Sequence, residues 1–251
     1  MNQLPDNPIA ASVNFEHDGV QHGHLKLPYS RDDSAWGAVM IPVCVVKNGA
    51  GPTALLTGGN HGDEYEGPVA LSRLAQELRA EDIRGRVIVV PFMNAPAFLA
   101  GKRTSPIDAG NLNRSFPGRP DGTVTQKIAD YFQRTLLPLA DVVLDIHSGG
   151  RTLDFLPFAA CHVLPDKAQQ EGCEALMRAF SAPYAMRMLE LDAVGMYDSA
   201  AEAQGKLFVT TELGAAPVEY RAKRGGILAA RHFPGLVQSG DTLAVVAEVL
   251  A

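Results

Sequence analysis

Cysteine is scarce in this sequence of 251 residues. Cys44, Cys161 and Cys173 are an odd number at wide spacings with no Cys-x-x-Cys pair, which speaks against a disulfide framework or a thiolate zinc site and for a reducing cytoplasm. Long apolar runs are missing as well. None approaches the roughly 20 residues that span a bilayer, so no membrane partner is expected. The stretch Met1 to Ala10 mixes Asn, Asp and Pro and lacks the basic and apolar regions of a secretory signal. Positive charge is in deficit, with 22 Lys and Arg against 28 Asp and Glu; with no basic stripe, no nucleic-acid partner is expected. Internal repeats and low-complexity segments are absent, and so is the Gly-x-Ser-x-Gly elbow of a serine hydrolase.

What remains is an ordinary globular composition, long enough for one large α/β domain or for a domain of about 200 residues with a small appendage. Apolar runs of strand length alternate with stretches of helical period, the pattern of a sheet covered by helices on both faces. Strands are predicted at Ala38 to Val46, Thr53 to Thr57, Arg86 to Pro91, Val142 to Ile146, Ala159 to Leu164 and Leu207 to Glu212. Helices are predicted at Tyr65 to Leu78, Thr123 to Leu137 and Asp166 to Phe180, where apolar residues recur at three and four. Asn94 to Gly122 is rich in Gly, Pro and Asn and reads as a long loop, a type of segment that is often functional. After Gly214 the texture changes. Pro217 to Ala251 holds short β-like runs, Gly226 to Arg231 and Leu243 to Val249, between Gly and Pro turns, and reads as a small β unit.

Chemistry concentrates where strands end. Leu55 to Gly58 leads into Gly59-Asn60-His61-Gly62-Asp63-Glu64, an apolar strand running through a Gly-rich turn into a helix. His61 and Glu64 sit three apart at that turn and can point at one spot beyond the strand's carboxyl end, where open α/β sheets bind ligands. Val142 to Ser148 supplies His147 in the same kind of place. Two His and one Glu with a fourth position open to water form the ligand set of catalytic zinc. A lone strand-end His is more often a satisfied polar residue; the three together are far less ambiguous. A phosphate cradle is disfavoured because Asp63 and Glu64 would repel an anion and no Gly-Lys-Ser/Thr follows. Within the long loop, Asn111-Leu112-Asn113-Arg114 sets a forked cation beside an amide, suited to gripping a carboxylate, although a surface Arg beside an Asn turn reads equally well. Glu212 ends an apolar strand and is a candidate general base, with a solvated strand-end acid as the plainer alternative.

In combination these residues resemble the succinylglutamate desuccinylase and aspartoacylase family, relatives of the zinc carboxypeptidases. The shared pattern is His-x-x-Glu after an early strand, an Asn-Arg box, a distant His and a Glu-hydrophobic-Gly strand end, spread from Ala38 to Gly214. The resemblance implies a zinc carboxypeptidase-like mixed sheet with helices on both faces, Zn2+ held by His61, Glu64 and His147, substrate contacts from Asn113 and Arg114, and Glu212 as general base. It also implies an oxyanion-stabilising role for Arg103. Ile9 to Phe15, Tyr29 to Gly37 and Ile227 to Gly235 are similar to one branch, the Nα-acetyl-L-2,4-diaminobutyrate deacetylases of ectoine degradation. The expected partner is then a small N-acylated amino acid, with Glu190, Asp192 or an acid in Ser105 to Asp108 pairing with its ammonium; a homo-oligomer is left open. Residues 1–214 would be the deacylase domain and 215–251 a C-terminal β unit that resembles only the last strands of a larger β domain. Rival readings are hydrolysis of N-acetylaspartate or N-succinylglutamate, a true carboxypeptidase, and a catalytically silent zinc-binding module that recognises an amino acid.

Overall fold

A computed structural model describes residues 5–189, 192–214, 227–232 and 244–247. In chain order its elements are β1 (Ala10–Ala11), β2 (Gly19–Pro28), β3 (Ala38–Asn48), β4 (Thr53–Gly58), α1 (Glu66–Glu77), β5 (Gly85–Val90), α2 (Ala95–Ala100), α3 (Val124–Tyr131), a π turn (Phe132–Leu136), α4 (Leu137–Leu139), β6 (Val142–Ser148), β7 (Leu153–Phe155), β8 (Phe158–His162), α5 (Lys167–Phe180), β9 (Tyr184–Met188), α6 (Tyr197–Glu202), β10 (Leu207–Leu213), β11 (Ile227–His232) and β12 (Ala244–Ala247).

Nine strands make one mixed sheet in the order β1-β2-β3-β5-β4-β6-β10-β8-β9. Its centre, β5-β4-β6-β10, is parallel, while β3 joins β5 and β8 joins β10 antiparallel. Alternation along the strands assigns the two faces. Val43 and Val45 of β3, Leu55 of β4, Ile88 and Val90 of β5, Val143 of β6 and Phe208 of β10 pack with Ile128, Phe132, Leu136 and Leu137 of the α3-to-α4 run. Cys44, Val46, Val89 and Ile146, on the opposite face, meet Leu71 and Ala75 of α1. Cys173 and Met177 of α5 cover Ala159, Cys161 and Val209 on that same side. Burying each Val, Leu or Ile fully is worth about 1.5–3 kcal/mol, so these two interfaces hold the sheet between its helices.

Local signals set the helix starts. Thr123 caps α3 in a capping box with Gln126, and the Asp166 side chain accepts from Ala168 N–H at 2.9 Å and Gln169 N–H at 3.1 Å to begin α5. The reading of Asn94 to Gly122 as one loop is corrected. It contains α2, closed by Gly101 in the left-handed conformation, and a 3₁₀ turn at Leu112–Arg114. A helix of six residues is too short to display a hydrophobic period. Strands β2, β7 and β9 and helix α6 were also not foreseen. The predicted runs after Gly226 correspond to β11 and β12, which with β7 form a second, three-stranded sheet; the rest of 215–251 lies outside the described residues. Among the described residues, no helix is long and apolar enough to cross a membrane.

Candidate metal centre

Three strand ends lie side by side at the site. β4 and β6 are parallel neighbours, as are β6 and β10, so all three deliver their carboxyl ends to one edge of the sheet. Beyond Gly58 the chain turns through His61 and Glu64 into α1, and two glycines let that turn fit. A Cβ on Gly62 would lie 2.0 Å from the carbonyl carbon of Ala97 in α2, and one on Gly67 would lie 2.7 Å from the carbonyl oxygen of Ile146 in β6. The turn is clasped between α2 and β6, which sets Glu64 beside His147.

His61, Glu64 and His147 are all buried, and one ligand atom from each lies within 4.8 Å of the others. Glu64 stands between the two imidazoles: its Oε1 is 2.7 Å from His61 Nδ1 and its Oε2 is 2.8 Å from His147 Nδ1. The far nitrogen of His147, Nε2, is 2.8 Å from Asp145 Oδ2. Asp145 is itself fixed, accepting from the Thr57 hydroxyl at 2.7 Å and from the Asn60 amide at 3.1 Å. A carboxylate that holds Nε2–H leaves Nδ1 as the ligand nitrogen, the usual support for a metal-bound His. Two imidazole nitrogens and one carboxylate, buried and convergent, match the donor set of a catalytic zinc site. His61 Nε2 is likewise buried and has no hydrogen-bond partner among the described residues.

The electrostatics follow from this crowding. Burial opposes the charge of Glu64, but His147 and then His61 outweigh it and hold the carboxyl below its ordinary range. Burial also opposes charge on His147, yet Asp145 and Glu64 raise it well above the ordinary imidazole value. For His61 burial wins, and its pKa is lowered despite Glu64. Asp145 and Glu64 thus favour the protonated form of His147, while burial disfavours that of His61.

Glu212 is the register partner of His147 on the neighbouring parallel strand, so both side chains leave the same face. Its Oε2 is buried without a hydrogen-bond partner, and burial, aided by Glu64 and Asp145 against His147 and Arg103, pushes its pKa up to about 8. Arg103 reaches in from the segment after α2 and donates to Glu64 Oε1 at 3.3 Å. Among the described residues, no hydrogen bond or ion pair joins Asn113 or Arg114 to the three candidate ligands. Asn113 Oδ1 accepts from Tyr197 N–H at 3.0 Å, which fixes the orientation of that amide. Arg114 is exposed and donates to the Asn113 carbonyl at 2.6 Å.

Asp145, Thr57 and Asn60 were missed from the sequence, although Asp145-x-His147 on a strand places both on one face. Asp108 is half-buried. Its carboxylate accepts from Thr125 N–H at 2.7 Å and from the Thr125 hydroxyl at 2.8 Å, at the start of α3. Asp192 is exposed, and Glu190 lies outside the described residues.

Comparison with known proteins gives consistent matches. The model of the succinylglutamate desuccinylase/aspartoacylase catalytic domain matches residues 50–230. The N-alpha-acetyl-L-2,4-diaminobutyric acid deacetylase of Halomonas elongata is 51% identical over a 332-residue alignment that covers 99% of this chain and 97% of that protein. That alignment is longer than the 251 residues of this chain, so the relative carries residues without a counterpart here. Among solved structures, a succinylglutamate desuccinylase from Silicibacter sp. is 50% identical with a TM-score of 0.93, covering 98% of this chain and 100% of that one. The product-bound ectoine utilization protein EutE (DoeB) from Ruegeria pomeroyi is 50% identical with a TM-score of 0.92 and the same coverage.

Proposed function

This chain belongs to the succinylglutamate desuccinylase/aspartoacylase family, and we propose from that premise that it is a zinc-dependent amidohydrolase removing the acetyl group from Nα-acetyl-L-2,4-diaminobutyrate in ectoine catabolism. The observation that carries the chemistry is the convergence of His61, Glu64 and His147 beside Glu212 at the carboxyl ends of three adjacent strands. The substrate reading is supported by the relative of that activity at 51% identity.

His61, Glu64 and His147 would hold the metal, which when bound supplies Lewis acidity toward a carbonyl and acidifies water. Glu212 acts on the proton. A buried carboxylate with a pKa pushed up to about 8 is a stronger base than an ordinary glutamate, and it accepts the proton of the attacking water. The water oxygen adds to the acyl carbon, and the carbon–nitrogen bond breaks as Glu212 returns the proton to the departing nitrogen. Acetate and 2,4-diaminobutyrate are the products. Arg103, already directed at Glu64, stands where it can stabilise the oxyanion that develops on the acyl oxygen. Arg114 and Asn113 would hold the α-carboxylate, turning binding energy into orientation at the metal. A cytoplasmic setting suits the three free, buried cysteines.

A substrate panel tests this reading. The zinc-loaded protein is expected to release acetate from Nα-acetyl-diaminobutyrate with a kcat/KM well above its values for N-acetylaspartate and N-succinylglutamate, and chelation should abolish turnover until zinc is restored. A site built for an ammonium rejects a second carboxylate by charge and by unmatched polar groups. Preference for either dicarboxylic substrate would overturn the substrate assignment.

A further inference from the structure

We infer that His162 is a positioning residue for the Asn113–Arg114 box: its imidazole fixes α6 at Glu202, and α6 fixes Asn113 at Tyr197. The inference rests on the proposed contact of that box with the substrate's α-carboxylate.

His162 ends β8. Ala159 and Cys161 of that strand pack with α5, so alternation turns His162 to the opposite face, where Tyr197 and Ala201 of α6 pack in one cluster with Phe208. Its Nδ1 stands 3.0 Å from each carboxylate oxygen of Glu202, the last residue of α6. Its Nε2 stands 3.9 Å from Oδ2 of Asp198 one turn earlier, within reach of an ion pair but beyond a hydrogen bond. One imidazole therefore faces both acids of the helix. Side-chain exposure is 6% for His162, 10% for Asp198 and 9% for Glu202, so water does not screen these contacts as it does a surface pair. An ionised carboxylate only accepts, so Nδ1 is the donor to Glu202.

A helix of six residues needs such a fixing. The apolar contacts of Tyr197 and Ala201 press α6 onto the sheet, but hydrophobic burial is non-directional and does not choose a position along β8. A hydrogen bond shared between two oxygens at a strand end does choose it. At the other end of α6, the Tyr197 N–H lies in the first turn, where helix donors have no partner within the helix, and it donates to Asn113 Oδ1 at 3.0 Å. Just before it, a Cβ at Gly195 would stand 2.5 Å from the Arg114 carbonyl oxygen, and Phe116 N–H donates to the Gly195 carbonyl at 3.0 Å. The segment that enters α6 thus bears on both residues of the box, and a slip of the helix along β8 displaces them.

The test is steady-state kinetics of the zinc-loaded full chain with Nα-acetyl-diaminobutyrate. His162→Leu is expected to raise KM about tenfold, the size of one lost hydrogen bond, with kcat changed less than about twofold, as for lost ground-state binding, and with zinc content unchanged. His162→Asn, whose Nδ2 can replace Nδ1 as the donor to Glu202, should restore KM. Asn113→Ala should itself raise KM, and adding His162→Leu to it should cost little more, because the route from α6 to the box runs mainly through that amide. Glu202→Met removes the same bond from the helix side and should reproduce the KM rise; it carries the test where His162→Leu does not fold. A normal KM in a folded His162→Leu or Glu202→Met, a fall in kcat with KM unchanged, no rescue by His162→Asn, KM rises that multiply in the double variant, or loss of folding in both single variants would each overturn the inference. An unchanged KM in Asn113→Ala, or no cleavage by the wild-type protein, would overturn it together with the functional reading, whereas a KM rise in Asn113→Ala but not in His162→Leu overturns the inference alone.

Discussion

Glu64 is buried and Glu212 half-buried, its register partner being His147, yet the surroundings of the two glutamates drive them apart. Glu64 lies between two imidazoles and stays ionised, whereas Glu212 has an unpartnered oxygen and is pushed up to about 8. That division suits one to hold a cation and the other to carry a proton. Glu212→Gln should therefore retain zinc while kcat falls ~10²-fold to 10⁴-fold, since an amide accepts no proton; metal analysis and steady-state kinetics check this together. The same shift has a sign for stability. With a folded pKa of about 8 against an ordinary 4.5, Glu212 contributes stability to the metal-free protein that is fully present below 4.5 and is lost as pH rises through 8. Thermal unfolding of the metal-free protein should decline less steeply over that window in Glu212→Gln than in wild type. An equal decline would mean that Glu212 ionises as it does in water.

Elements with a strong period were legible in the sequence, and those without one were not. β3 to β6, β10, α1, α3 and α5 each carry enough apolar residues at one spacing to announce themselves. α2 and α6 have six residues each, under two turns, and β9 is an edge strand with exposed Tyr184 and Ala185 at its start. The site divides in the same way. His61, Glu64, His147 and Glu212 are readable because each lies at or just beyond the carboxyl end of an apolar strand. Asp145 was readable in principle from its strand period. Tyr197, whose N–H donates to Asn113 Oδ1, gives no local signal, because the segments it meets are far away in sequence.

Close packing between elements also decides a sign that propensity gets wrong. In an ordinary helix, replacing glycine with alanine stabilises by about 0.5–1 kcal/mol. At Gly67 in the first turn of α1, a Cβ would stand 2.7 Å from the Ile146 carbonyl oxygen and 2.9 Å from the Ile146 Cβ, so the helix must leave β6. Gly67→Ala is accordingly expected to destabilise by about 1–3 kcal/mol in chemical denaturation, and to weaken zinc binding because Glu64 is carried away from His147. A gain in stability would show that the α1–β6 contact is loose.

For the whole molecule, sheet order is what turns scattered residues into a site. β4, β6 and β10 are separated by long stretches of chain but are neighbours in the sheet, and their parallel direction puts His61, His147 and Glu212 at one edge. β11 pairs with β7, which begins five residues after Ser148, so the second, three-stranded sheet starts from the loop that leaves the site. The central claim is that this edge is a zinc centre. Diffraction from crystals of the zinc-loaded protein, recorded on both sides of the zinc absorption edge, tests it most directly. The account predicts one anomalous peak per chain within bonding distance of His61, Glu64 and His147, and its loss in His147→Ala. An absent peak, or a peak bound by other residues, would contradict it.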